Sequence, residues 1–304
     1  MSKREIRIGT RKSKLALWQA KTVADKLNKI GYKSLIVPIK SEGDINLSQP
    51  IYSIGIQGVF TRTLDTALLN KKIDIAVHSL KDVPTKLPEG IILNSTINRG
   101  NPYDLLLFDD ESRLLNIGKV GTGSLRRRAQ WLNKYPQDET EVIRGNVQTR
   151  LKKLKTSNLK GVILAKAGID RLGIKNLKFE VLKWMIPAPS QGAIGIASLE
   201  NNESVKKALL QINCNKTFYC TTIERTFLKT LEGGCSAPIG GLAVIDGDFV
   251  DFKGGLFSLN GRESVITDHR FSNNENPIYL GEKIASELMK KGGKSIIEKI
   301  KTQL

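Results

Sequence analysis

Basic and hydroxyl side chains follow several predicted strands of this 304-residue chain, each near the point where a strand ends. The set consists of Arg11, Ser13, Lys81, Thr122, Ser124, Arg126, Arg127, Arg144, Arg150 and Arg171. A guanidinium group binds a carboxylate or a phosphate through two parallel hydrogen bonds, and the free N–H groups of a helix N-terminus also favour anions. For any one of these arginines, a solvated helix face is the simpler interpretation. Together they predict a cleft for a ligand with several negative charges.

Asp82 is the only acidic residue of the loop "SLKDVP", where it follows Lys81 directly. A carboxylate within a basic cleft is suited to stabilising a cation that forms only during a reaction. The same residue type also suits a turn or a helix N-cap. The local sequence leaves both interpretations open.

Cys235 lies in the glycine-rich stretch "LEGGCSAPIGG", with no other cysteine at metal-ligand or redox-pair spacing. Cys214 and Cys220 do not form a CxxC pair, and a zinc site that combined all three cysteines with His269 would match no known ligand spacing. We therefore predict no metal site. Glycines beside Cys235 would let this backbone approach a ligand closely.

Strand and helix patterns alternate along the first two thirds of the chain. Ile6 and Ile8 alternate with polar residues as in a strand, and an apolar face that includes Val23 and Leu27 follows as in a helix, which Gly31 ends. "KIDIAVHS" predicts another strand, and "KVGTGSLRRRAQWL", "TEVIRGNVQTRLKKL" and "GVILAKAGIDRLG" repeat the order of strand, loop and helix. This alternation predicts mostly parallel, doubly wound α/β sheets, in which ligands bind beyond the carboxyl ends of the strands.

The pattern changes after Cys235. Turn signals at Asp246-Gly247 and Asn260-Gly261 separate alternating apolar runs, which predicts a three-stranded antiparallel sheet. Helical patterns follow at 278–289 and 295–301, so the C-terminal part is expected to be a smaller α+β domain. Segments rich in Gly, Pro and polar residues at 98–104 and 186–196 are the candidate domain boundaries.

The formal net charge is +18, from 48 Lys+Arg against 30 Asp+Glu, which points to an anionic partner. Nucleic acid is one such partner, but aromatic residues make up only 6% of the chain and no nucleic-acid-binding signature is present. The first residues lack the apolar core of a signal peptide, and no apolar run reaches the roughly 20 residues that span a bilayer. We therefore expect a cytoplasmic protein with reduced thiols.

Common catalytic and nucleotide-binding motifs are absent from the sequence. It contains no GxGxxG, Walker A, HExxH or GxSxG motif. The two histidines, His78 and His269, have no Ser or Cys partner at a suggestive spacing, and His78 is expected to pack near a strand end. Hydrolases with an activated nucleophile or a zinc ion therefore have little support.

Seven motifs nevertheless occur in one order over nearly the whole chain. They are "RIGTRKSKLALWQA", "DIAVHSLKDVP", "VGTGSLRRRAQ", "IRGNVQTRL", "LAKAGIDRLG", "QGAIGI" and "LEGGCSAPIG". In this order they resemble the porphobilinogen deaminase family, also called hydroxymethylbilane synthases, of tetrapyrrole biosynthesis. The rare cysteine of "EGGC" makes the resemblance specific.

The resemblance implies three domains: residues 1–97 with 196–214, residues 98–195, and residues 215–304. The first two would be doubly wound like periplasmic binding proteins, with the catalytic aspartate loop in the first and the arginine-rich side of the cleft in the second. The third would carry a cysteine whose sulfur forms a thioether to a dipyrromethane cofactor. Four porphobilinogen units would be added to this primer with loss of ammonia, and hydrolysis would release hydroxymethylbilane.

The resemblance also assigns roles to individual residues. Asp82 would be the catalytic carboxylate that stabilises the azafulvene cation left by ammonia loss, and Arg11, Arg144 and Arg150 would assist catalysis. The cofactor would be held by Cys235 (covalently), Lys81, Asp82, Thr122, Ser124, Arg126, Arg127 and Arg150. The substrate would be bound by Arg11, Ser13, Gln19, Arg144 and Arg171.

Six positions depart from the usual pattern of the family: Gln57, Thr63, Gly123, Lys166, Ser190 and Ala197. They bring into question the lid over the cleft, the cofactor contacts and the domain hinge. Porphobilinogen is the expected partner, without nucleic acid or membrane, and the protein is expected to be a monomer. The alternatives are a non-catalytic anion-binding protein and a nucleic-acid-binding protein.

Overall fold

The computed structural model describes residues 5–40, 61–231 and 237–303. Internal contacts divide the chain into two compact units. Among the described residues, the first unit holds 5–40, 61–100 and 192–219, and the second holds 101–191, 220–231 and 237–303. The chain therefore crosses from one unit to the other after residues 100, 191 and 219.

A five-stranded sheet forms the centre of the first unit. In spatial order its strands are β2 (Ser34–Ile39), β1 (Ile6–Arg11), β3 (Ile75–Ser79), β10 (Ile194–Leu199) and β4 (Ile91–Thr96). The helices of this unit are α1 (Lys14–Lys29), α2 (Arg62–Leu69) and α6 (Glu203–Ile212). Helices α1 and α6 bury apolar residues on one face of the sheet, and α2 does so on the other. The unit is therefore doubly wound, as predicted.

Helix α1 follows the predicted apolar pattern. Val23 and Leu27 are fully buried, and burial of each side chain contributes about 1.5–3 kcal/mol. Ser13 caps the helix by accepting a hydrogen bond from the Ala16 N–H. Gly31 has φ +82°, a left-handed conformation directly after the C-cap residue, so the predicted stop is confirmed.

A second five-stranded sheet with the same arrangement lies in the second unit. In spatial order its strands are β7 (Glu139–Glu141), β6 (Lys119–Gly121), β8 (Gly161–Ala165), β5 (Asp104–Phe108) and β9 (Lys178–Leu182). The accompanying helices are α3 (Leu125–Lys134), α4 (Val147–Thr156) and α5 (Lys166–Arg171). Strand β5 is buried on both faces, which explains why its sequence, "DLLLF", is a continuous apolar run rather than an alternating one.

Both sheets are mixed rather than mostly parallel. In each, the fourth strand in spatial order, β10 or β5, runs antiparallel to both of its neighbours. These are the first strands after the chain crossings at residues 191 and 100. A strand that enters from the other unit needs no helical crossover within its own sheet, so it is free to run antiparallel.

The C-terminal part of the second unit contains the predicted meander. Strands β11 (Ile239–Asp246), β12 (Phe249–Phe257) and β13 (Ser264–Ser272) form an antiparallel sheet in this order. Gly247 and Gly261 have positive φ in the two predicted turns. The helices of this region are α7 (Asn215–Thr230), which begins in the first unit, α8 (Pro277–Leu288) and α9 (Lys294–Gln303). The meander and the two predicted helices are confirmed, whereas the division into three domains stays a prediction.

The segment from Ile186 to Gln191 leads into the second crossing, and Ser190 is strained within it. Ser190 has φ +66°, a left-handed conformation in which a side chain costs free energy and glycine does not. Its N–H donates to the buried Glu224 carboxylate, whereas its buried Oγ has no hydrogen-bond partner among the described residues. A glycine would adopt this conformation without strain.

We expect Ser190→Gly to raise the free energy of unfolding by about 1 kcal/mol, because relief of the backbone strain and of the unpaired hydroxyl outweighs the extra conformational entropy that glycine gives the unfolded chain. Ala188→Gly in the same segment is the matched control. Ala188 has no positive φ, so this change should lower stability by about 0.5–1 kcal/mol. Denaturant melts of both variants test this, and a destabilised Ser190→Gly protein would contradict the strain argument.

Candidate functional site

The first unit places five of the predicted site residues near the carboxyl ends of β1 and β3, which are adjacent and parallel. They are Arg11 at the end of β1, Ser13 at the start of α1, Gln19 within α1, and Lys81 and Asp82 in the 3-10 turn after β3. Arg11, Ser13, Lys81 and Asp82 are half-buried. In this unit these side chains therefore lie at one sheet edge, whereas the other members of the predicted set follow strands of a second sheet in the other unit.

Two apolar neighbours fix the turn that carries Asp82. Leu80 and Val83 are buried on either side of Lys81 and Asp82, and the Leu80 N–H donates to the Ala193 carbonyl at 3.0 Å. Gly195 on β10 is needed for this packing, since a Cβ there would lie 2.7 Å from Leu80 Cδ1. The "QGAIGI" motif therefore supports the loop of the "SLKDVP" motif, although more than 100 residues separate them.

Gln19 and His78 are more deeply buried than the half-buried residues of this edge. Gln19 is buried and its Nε2 donates to Ser79 Oγ at 2.8 Å. His78 is also buried at the end of β3, as the sequence predicted. Burial, together with the smaller effect of the nearby Arg11 cation, lowers the pKa of His78 to about 4. The imidazole is therefore neutral at physiological pH.

The second unit gathers the remaining predicted residues around the ends of β6, β7 and β8, which are parallel to one another. Thr122, Ser124, Arg126 and Arg127 follow β6, Arg144 and Arg150 follow β7, and Arg171 ends α5 after β8. Ser124 caps α3 by accepting from the Arg127 N–H, and its own N–H donates to Thr122 Oγ1 at 3.3 Å.

Gly123 brings the loops after β6 and β7 together. A Cβ at this position would lie 2.7 Å from the Ile143 carbonyl oxygen, so any larger residue, serine included, would require the loops to shift. The same Cβ would lie 3.9 Å from Arg150 Nη2, so this guanidinium reaches the Thr122–Ser124 loop. Arg150 Nε donates to the Gly145 carbonyl at 3.0 Å, which fixes its direction.

The arginines of this unit differ in how they are held. Arg126 and Arg127 are each 5% exposed and bind the buried carboxylate of Asp104. Arg144 is half-buried, and its Nη1 is buried without a hydrogen-bond partner among the described residues. Burial lowers the pKa of Arg171 to about 10 despite the opposing charge of Asp170, so Arg171 remains a cation at neutral pH.

Asp104 is a residue that the sequence analysis missed. It ends the predicted boundary segment 98–104, yet it is fully buried and accepts hydrogen bonds from three side chains. The available signal was a lone acid at the start of the apolar run "DLLLF", because a buried carboxylate in such a run needs a cationic partner.

The other positions that depart from the family pattern lie in different parts of the structure. Thr63 is half-buried on α2, Lys166 begins α5 and pairs with Asp170 at 2.7 Å, and Ala197 is buried in the apolar core under α2. Gln57 and Cys235 lie outside the described residues. Within the described ranges, no cluster of three metal-ligating side chains is present, and no helix is long and apolar enough to cross a bilayer.

We expect protonation of the His78 imidazole to make the stability of the protein depend on pH. The pKa of this imidazole is about 4 in the folded protein and 6.5 in an unfolded chain, so the unfolded state binds more protons between these values. Stability should therefore fall as the pH drops through this window, by about 2 kcal/mol between pH 7 and pH 5. His78→Gln should remove this part of the pH dependence, whereas His269→Gln should remove less. Equal slopes for wild type and His78→Gln in denaturant melts would contradict this.

Comparisons with known proteins cover nearly the whole chain. A family model described as porphobilinogen deaminase, dipyrromethane cofactor binding domain, matches residues 6–207, and one for the porphobilinogen deaminase C-terminal domain matches residues 218–290. The solved structures to which the chain is similar include a probable amino-acid ABC transporter extracellular-binding protein, ytmK, of Bacillus subtilis. It is 15% identical, covers 69% of this chain and 92% of its own, and has a TM-score of 0.44.

Curated relatives carry the same name as the matched domains. The porphobilinogen deaminase of Trichlorobacter lovleyi is 39% identical over 99% of this chain and 98% of its own length. That of Desulforamulus reducens is 38% identical over 98% and 99%, and the probable porphobilinogen deaminase of Methanocaldococcus jannaschii is 42% identical over 88% and 90%. The chain therefore belongs to the porphobilinogen deaminase family, transferases of tetrapyrrole biosynthesis that use a dipyrromethane cofactor to polymerise porphobilinogen to hydroxymethylbilane.

Proposed function

We propose that this chain adds four porphobilinogen molecules head to tail onto a dipyrromethane primer held by Cys235, with Asp82 as the catalytic carboxylate. The observation that carries the proposal is the gathering of cationic and hydroxyl side chains at the carboxyl edge of the sheet in both doubly wound units. The first unit adds one carboxylate, Asp82, at that edge. The role of Cys235 rests on the "EGGC" motif.

The residues of the second unit fit a cofactor with acetate and propionate groups. Arg126 and Arg127 are buried cations that share one carboxylate, that of Asp104, so a carboxylate of the cofactor would balance the remaining charge. Arg126, Arg127 and Arg150 offer further N–H donors, and Thr122 and Ser124 offer hydroxyls. When bound, the dipyrromethane supplies the pyrrole end to which each new unit is joined.

Asp82 would act on the N–H side of the pyrrole rings. The buried Leu80 and Val83 hold its turn in place, so the carboxylate needs little reorganisation to accept hydrogen bonds from the ring N–H groups. As ammonia leaves the substrate, positive charge develops on the ring, and the carboxylate would stabilise this charge. Lys81 beside it would bind a carboxylate of the cofactor.

Arg11, Ser13, Gln19, Arg144 and Arg171 would bind the substrate. Gln19 is oriented by its bond to Ser79, which leaves its carbonyl oxygen to accept from a ligand. Arg11 and Arg171 supply cations for the acetate and propionate groups of porphobilinogen. Each charge-assisted bond of this kind is worth about 1.5–3 kcal/mol before desolvation. Arg11, Arg144 and Arg150 would also assist the loss of ammonia.

We further propose that the protein works in the cytoplasm as a monomer and does not bind nucleic acid. A thioether at Cys235 requires a free thiol, which a reducing compartment maintains. The charge of +18 is better explained by a product that gains two carboxylates with each added pyrrole than by DNA. Tight, salt-dependent binding to random duplex DNA without turnover of porphobilinogen would favour the nucleic-acid alternative.

The first prediction of this proposal concerns the intact mass of protein purified from cells. We expect a covalent excess equal to two pyrrole units, which Cys235→Ala should abolish. Cys214→Ala is the matched control, because it removes another thiol and should keep the excess. A wild-type mass that stays unmodified after incubation with porphobilinogen would rule out the covalent primer.

The second prediction separates chemistry from binding. Asp82→Asn should retain the fold and the covalent excess but lower kcat by about 100-fold or more, because the amide cannot offset the developing charge. Asp25→Asn, which changes an exposed carboxylate on α1, should leave kcat unchanged. Turnover of Asp82→Asn at the wild-type rate would refute the role of this carboxylate.

A further inference from the structure

Asp104 is a buried carboxylate at the start of β5 that none of the proposed roles includes. We propose that Asp104 is a positioning residue for the cofactor: its carboxylate fixes the guanidinium groups of Arg126 and Arg127 so that their remaining donors face a cofactor carboxylate. This inference rests on the proposed function, because it assumes that the two arginines bind the dipyrromethane.

Both oxygens of Asp104 are used to hold the arginines. Oδ2 accepts from Arg126 Nη2 at 2.8 Å, and Oδ1 accepts from Arg127 Nε at 3.0 Å and lies 2.8 Å from Arg127 Nη2. Gln191 Nε2 donates to the same Oδ1 at 2.9 Å, which fixes the carboxylate itself. The orientation of one carboxylate therefore sets the orientation of both guanidinium planes.

Backbone carbonyls provide a second point of attachment for each arginine. Arg126 Nη1 donates to the Ile186 carbonyl at 2.7 Å, and Arg127 Nη1 donates to the Ile163 carbonyl at 2.9 Å. A guanidinium group has five N–H donors. Both arginines therefore keep donors without an acceptor among the described residues, and neither guanidinium can rotate without breaking a buried bond.

The charge of this cluster also points to an anionic ligand. Two cations share one carboxylate, and the side chains of all three residues are at most 6% exposed. Burial lowers the pKa of Arg126, Asp104 opposes this effect, and the Arg127 charge adds to it. A ligand carboxylate would neutralise the remaining positive charge, whereas water can do so only weakly at this depth.

The test compares Asp104→Asn with a matched control, Asp138→Asn. Asp138 is a buried carboxylate of the same unit that accepts from Trp131 Nε1 at 3.0 Å and pairs with Lys160 at 2.9 Å. It has no bond to either arginine among the described residues. Both variants lose a buried charge, so both should melt at a lower temperature than wild type. Only Asp104→Asn should slow the attachment of the cofactor.

The readout is the rate at which protein without cofactor gains the mass of two pyrrole units during incubation with porphobilinogen. We expect the half-time to lengthen about tenfold or more in Asp104→Asn and to stay near wild type in Asp138→Asn. In the loaded fraction of Asp104→Asn, kcat should fall while KM for porphobilinogen changes little, because the proposed substrate contacts are untouched.

The possible outcomes distinguish failure of the proposed function from failure of the positioning role of Asp104. If wild type gains no mass, the proposed function fails and this inference fails with it. Suppose that wild type gains this mass and that Asp104→Asn folds. If Asp104→Asn then gains the mass as fast as wild type, or as fast as Asp138→Asn, only the positioning role is overturned. If Asp104→Asn does not fold, Asp104→Glu decides in its place: it keeps the charge but moves the oxygens by one methylene, so loading at the wild-type rate would overturn the role.

Discussion

The pairing of one buried carboxylate with two buried guanidinium groups is the constraint on which the second unit depends. Asp104 has no exposed surface, and Arg126 and Arg127 each expose only 5%. Loss of one partner from such a buried group typically costs about 3–5 kcal/mol, because the remaining charges stay without compensation. Helix α3, strand β5 and the Ile186–Gln191 segment all contribute bonds to this cluster, so it determines how these three elements lie against one another.

The composition of the segment before the second crossing explains why so many polar side chains are buried around it. "IPAPSQ" contains two prolines, which have no N–H to donate, so this segment cannot join a strand ladder. Side chains satisfy several of its backbone groups instead, while the N–H groups of Gly241 and Gln191 donate to the Pro187 and Ala188 carbonyls. The Gln130 amide binds both the N–H and the carbonyl of Ile186, at 2.8 and 2.9 Å, and Glu224 accepts from the Ser190 N–H. Buried backbone groups without such partners would be costly.

Most of the architecture could be predicted from local patterns, because alternation of strands and helices, glycine turns and helix caps are short-range signals. The direction of β5 and β10 could not, since it depends on which chain crossing precedes each strand. The gathering of Arg11, Lys81 and Asp82 followed from the rule that ligands lie at strand ends. The role of Asp104 depends on pairing with residues 22, 23 and 87 positions away, and no local pattern records such a pairing.

The two kinds of arginine in the second unit correspond to two kinds of ligand in the proposed mechanism. A primer that stays attached through many turnovers is best held by side chains with fixed orientation, and the Asp104 cluster provides these. A substrate that must bind and then move on with the growing chain requires contacts that form and break readily. Arg144 suits this role, because it is half-buried and its Nη1 has no partner among the described residues, so no internal bond need be broken when a carboxylate arrives. In the proposed mechanism, burial would thus separate permanent from transient carboxylate binding among residues of the same type.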